Sequence, residues 1–163
     1  MAGKLARTPC RFNPPTPLGT IRRMASRIIA TPPDSLPPSL DEIAALGEAE
    51  LQRLRPALGR YIDGVPVQVA EFADDETLAE MGCESPFDLL GLYRGGSFVA
   101  EQRGETGTLP AMIFLYRRPL LDYWCESGEP LRRVVRHVLI HEIGHHLGLS
   151  DDDMDRIEAA TED

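Results

Sequence analysis

Cysteine is scarce in this chain: three residues (Cys10, Cys83, Cys125) in 163. They are far apart and odd in number, so neither a disulfide framework nor a Cys-x-x-Cys metal or redox pair can be drawn. Isolated thiols suit a reducing compartment, and the expected location is the cytoplasm. Long apolar runs are missing too. The best stretches, Ala111–Leu115 and Val138–Ile140, fall far short of the roughly 18 residues that a bilayer crossing takes. A membrane-embedded protein is not expected. Acidic residues are absent from positions 1–33, which carry Lys4, Arg7, Arg11, Arg22, Arg23 and Arg27. Behind the overall charge of −9, the remaining residues therefore hold 11 basic and 26 acidic groups. A basic tail can touch nucleic acid, but the acidic body offers no basic face, so no nucleic-acid partner is expected.

What is present is ordinary for a globular protein: 42% hydrophobic and 26% charged residues, in a chain long enough to bury one core. Residues 1–38 read as a basic, proline-rich, disordered head and linker. The head lacks the apolar h-region of a secretory signal and has the Arg-rich look of a transit peptide. Residues 39–163 read as the folded domain. Ser39 and Glu42 have capping-box spacing, and Leu40, Ile43, Leu46, Leu51, Leu54 and Leu58 recur at helical intervals, so a helix should end near Pro56–Gly59. Val65, Val67 and Val69 alternate as in a half-buried strand. The acidic stretch Asp74–Glu84 suits a solvated loop or short helix. Phe87–Arg94, Gly95-Gly96 and Ser97–Gln102 suggest a hairpin, and Ala111–Tyr116 a further strand. Pro119–Cys125 should form a short helix. A longer one should begin at Pro130 and stop at Gly148, with Ser150 capping a last helix to about Ala160. This order predicts a single α+β domain with a small mixed or antiparallel sheet.

Chemistry concentrates at residues 141–151, His-Glu-Ile-Gly-His-His-Leu-Gly-Leu-Ser-Asp. His141 and His145 are four apart on a predicted helix, about 6 Å along its axis on one face, so both imidazoles can converge on one ion. Glu142, rotated by about 100°, can reach a water on the ion's open side. Two histidines under-ligate zinc, since a catalytic site takes three protein ligands and a water. Gly148 can turn the chain so that Asp151 approaches as the third. Asp151 also suits a helix N-terminus, and Asp152, Asp155, Glu158 or no protein group at all compete with it for the ligand role. His137 is about 12 Å along the axis from His145, so the two cannot share an ion; it reads as a core group or a support to the ligands. His146 points off the metal face.

The run His141–Asp155, HEIGHHLGLSDDDMD, resembles the minimal zincin-like metallopeptidases of bacteria. Ser85–Gly96 (SPFDLLGLYRGG) and Ile113–Leu120 (IFLYRRPL) agree with that resemblance. It implies a minimal zincin-like fold around an active-site helix. His141 and His145 would be zinc ligands, Glu142 the catalytic acid/base, and Asp151 the third ligand. The motif is also similar to the metzincin pattern, with Asp151 where a third His would stand and no separate Met-turn.

The expectation is a zinc-dependent hydrolase acting on a peptide or protein, with Glu142 as general base. Tyr93, Arg94, Tyr116 and Tyr123 are candidates for stabilising the oxyanion. The strand near Ala111–Tyr116 is a candidate edge for an extended substrate. The rival is a non-catalytic metal-binding or protein-interaction domain on the same scaffold; hydrolysis of a non-peptide amide is a third reading. Nothing in the sequence sets an oligomeric state.

Overall fold

A computed structural model describes residues 36–95 and 111–161; most of the head and linker, and the Ser97–Gln102 arm of the expected hairpin, lie outside them. The first helix, α1 (Leu40–Leu58), starts on the capping box read from the sequence. Glu42 N–H donates to Ser39 Oγ at 3.2 Å, and the Glu42 carboxylate accepts from Ser39 N–H at 2.8 Å. Two of the orphan amides at that end are thereby satisfied. Ile43, Leu51, Leu54 and Leu58 form its buried stripe.

Strand β1 (Val67–Ala70) follows, then α2 (Asp75–Met81), whose first turn is capped by Asp74 accepting from Thr77 N–H at 2.7 Å. Of the two readings of the acidic stretch, the short helix holds. Strands β2 (Gly91–Arg94) and β3 (Met112–Tyr116) complete a mixed sheet of order β1-β3-β2. β3 pairs parallel with β1 (Val67 opposite Ile113) and antiparallel with β2 (Leu92 opposite Phe114). The expectation that β3 offers an open edge is therefore overturned. Both of its sides are already hydrogen-bonded, so it has no free backbone row for a further strand. Among the described residues β2 and β1 are the edges.

The remaining helices are α3 (Arg117–Ser127), α4 (Leu131–Leu147) and α5 (Asp151–Thr161). Pro130 caps α4 rather than opening it: its carbonyl accepts from Arg133 N–H and Val134 N–H, so Leu131 is the first helical residue. Ser150 caps α5, accepting from Asp153 N–H at 3.3 Å. α4 runs through the centre of the fold, with Val134, Val135, Val138, Leu139, Ile140 and Ile143 buried against α1 and the sheet. One buried ion pair ties it to α1. Arg136 Nε donates to Glu50 Oε2 at 2.6 Å, with both side chains nearly inaccessible, and Arg136 also bonds the Thr161 carbonyl at the end of α5. Among the described residues no helix is long and apolar enough to cross a membrane.

Candidate metal centre

The apolar stripe of α4 leaves its other face to histidine. His137, His141 and His145 form a row at four-residue steps, with ring centroids 4.1 Å apart for the first pair and 5.9 Å for the second. His141 is the middle of the row and half-buried. Its Nε2 is shut off from solvent and has no hydrogen-bond partner. A buried polar nitrogen left unsatisfied is costly, so an orphan of this kind calls for a ligand. Burial pulls the His141 pKa down, with His137 and His145 adding to the effect, while the charges of Glu158 and Asp151 oppose it. A neutral imidazole is the form that binds metal.

Glu142 faces the sheet. Strand β2 comes so close to α4 at Gly91 that a Cβ there would lie 2.6 Å from Val138 Cγ1 and 3.5 Å from Glu142 Cγ. Only glycine permits that approach, and it brings the Tyr93 N–H to 3.3 Å from Glu142 Oε2. Leu90 and Leu92 face β3 with their hydrogen-bonding groups, so Gly91 and Tyr93 present theirs to the outer edge. Burial pushes the Glu142 carboxyl up to about 7, against the weaker downward pull of that single amide.

Gly144, between the two motif histidines, rests on Met154 of α5: a Cβ at Gly144 would lie 2.3 Å from Met154 Sδ. Met154 is fully buried and forms the floor under this turn. The helix ends at Gly148 in the left-handed conformation (φ 72°), and the chain turns into α5. Asp151, its first residue, is exposed, near enough for its charge to act on His141. Glu158, two turns along, is half-buried, and its Oε2 lies 2.9 Å from His137 Nδ1. Burial raises the Glu158 pKa, but the hydrogen bond and charge of His137, with His141 and Arg133 behind them, outweigh it and hold the carboxyl low.

Among the described residues, the group whose ligand atoms all lie within 4.8 Å of one another is His137, His141 and Glu158. His145 and Asp151 stand outside it. Two imidazoles and a carboxylate, one nitrogen buried and orphaned, are a donor set compatible with a divalent metal. Three features had no clear signal in the sequence. They are the Tyr93 amide on Glu142, the Met154 floor, and the stacking of His146 on Tyr93 at 4.0 Å between centroids. A backbone donor leaves no trace in residue identity. The Gly-x-Tyr spacing of Gly91 and Tyr93 is the nearest thing to one. Of the oxyanion candidates, Tyr116 is buried among Ala73, Leu89 and Leu92, and Arg94 is engaged with Thr77 and Glu80. Tyr123 on α3 lies near Glu129 and Glu158, and Tyr93 stacks on His146 of α4.

The family model described as Zincin-like metallopeptidase matches residues 62–161, from the turn before β1 to the end of α5. No curated protein matches the chain.

Proposed function

The chain belongs to the zincin-like metallopeptidase family, and from that premise we propose that it is a zinc-dependent peptidase with Glu142 as its general base. His141, His145 and Asp151 would hold the ion. When bound there, zinc would supply Lewis acidity toward the scissile carbonyl and the attacking water. The observation that carries the reading is the state of Glu142. It is a largely buried carboxyl next in sequence to the orphaned His141 imidazole, held by the Tyr93 N–H at 3.3 Å and pushed by burial up to about 7 in the metal-free chain. A carboxylate fixed in that place can take a proton from water and return it to the leaving group.

The Tyr93 N–H holds Oε2 and so fixes the carboxylate, leaving Oε1 for the water. As the water oxygen adds to the carbonyl carbon, its proton passes to Glu142. As the C–N bond breaks, the same proton passes to the leaving amine, and Glu142 is restored. An extended peptide adding to the outer edge of β2 would run past this carboxylate, which supports a peptide over a compact substrate. The free thiols Cys83 and Cys125 support a reducing, cytoplasmic setting.

The test is digestion of a diverse peptide library by zinc-loaded protein, chelator-treated protein and Glu142→Ala. Cleavage confined to the loaded wild type is expected. Cleavage equal in all three, or absent from all, overturns the proposal.

A further inference from the structure

The imidazole row on α4 extends one turn beyond the pair assigned to zinc, and α5 sets a carboxylate against that extra turn. Ligand atoms of His137, His141 and Glu158 lie within 4.8 Å of one another, with the His137 Nδ1 to Glu158 Oε2 edge at 2.9 Å. Donors on a tetrahedral ion with bonds of 2.0–2.1 Å stand about 3.3 Å apart. The His137–Glu158 edge is shorter than that spacing and the other two lie within 4.8 Å, so small side-chain rotations would close the set. All three residues are partly buried, and the buried Nε2 of His141 has no hydrogen-bond partner. His137 approaches His141 more closely than His145 does, 4.1 against 5.9 Å between ring centroids, and His145 is exposed.

We propose that His137, His141 and Glu158 form a second divalent-cation site, suited to zinc or cobalt, that competes with the His141–His145 pair for His141. It rests on the reading of His141 as a zinc ligand. The incoming ion takes the place of the hydrogen bond between His137 Nδ1 and Glu158 Oε2, with His137 ligating as the neutral imidazole protonated on its other nitrogen. His137 and His145 are two helical turns apart, about 12 Å along the axis, so one ion cannot use both. Occupation of the α5-side site therefore withdraws His141 from His145, and the position of the ion becomes a choice between two neighbouring turns of α4.

The test uses the metal-stripped full chain titrated with Co(II), read by its visible absorption, and with Zn(II), read by calorimetry. His145→Ala, which leaves the three proposed ligands intact, should still bind one equivalent. Adding Glu158→Gln, a near-isosteric change, or His137→Ala should weaken that binding by roughly 10–100-fold or more. Circular dichroism on each variant checks that the fold persists. If wild type binds one equivalent and His145→Ala binds none, the pair at His141 and His145 stands and the second site is overturned. Binding by His145→Ala that neither further substitution weakens overturns it as well. A wild type that binds no metal overturns both readings.

Discussion

Replacing Glu142 by glutamine should make the metal-free protein more stable, and by an amount that depends on pH. The carboxyl titrates near 4.5 in an unfolded chain and is pushed to about 7 in the fold by burial. At about pH 4 and below, both states keep the proton and the residue is neutral to folding. As pH rises through the window between these values, the unfolded state releases the proton while the folded state retains it. Stability falls across that window and stays low above it. The gap corresponds to about 3 kcal/mol, an upper bound because the site can relax or admit water. Glutamine keeps the oxygen that accepts from Tyr93 N–H and carries no charge, so it escapes the penalty. In chelator-treated samples Glu142→Gln should melt roughly 10 °C above wild type near pH 8 and within a few degrees of it near pH 4.5. A difference in melting temperature that is the same at both pH values would refute the assignment of a buried, raised carboxyl.

Other perturbations follow from contacts away from the proton. Gly144→Ala drives a methyl into Met154 Sδ and should cost about 1–3 kcal/mol in urea unfolding. Combining it with Met154→Ala should cost less than the sum of the two single changes. Arg136→Met takes the 2.6 Å donor from the buried Glu50 carboxylate and leaves it only Arg53 at 3.7 Å, so a loss of about 3 kcal/mol is expected. Pairing it with Glu50→Leu should recover much of that loss, and a double variant as unstable as the single one would argue against the ion pair. Ser39→Ala removes the α1 cap and should lower stability by about 1 kcal/mol, read as a shift in the urea midpoint with unchanged slope. Gly91→Ala should force β2 away from Val138 and lower peptide hydrolysis more than it lowers thermal stability.

The helices were the most legible part of the sequence because their signals are local. The Ser39–Glu42 box, the apolar stripe of α1, the stop at Gly148 and the Ser150 cap each depend on residues within a turn or two. The row from His137 through His145 was legible for the same reason, since helical spacing alone aligns it. Strand order was not. Whether β3 lies at an edge or at the centre depends on long-range pairing with β1 and β2, and an apolar run such as Ile113–Tyr116 suits either place. The same limit hid Arg136 behind Glu50, 86 residues away, which amphipathic reading would leave in solvent. It also hid the contact of Glu158 with His137, which depends on the angle at which α5 returns across α4. For Asp151 the Gly148 turn suggested reach toward the histidines, and the fold places it exposed at the first residue of α5.

The account turns on Glu142 as the proton carrier beside a metal-binding imidazole. Its most direct test is kcat/KM on one cleaved peptide for wild type and Glu142→Gln, both folded and carrying equal zinc. A loss of roughly 100-fold to 10,000-fold in a variant that is at least as stable as wild type is the predicted result. Equal kcat/KM in the two proteins would contradict it.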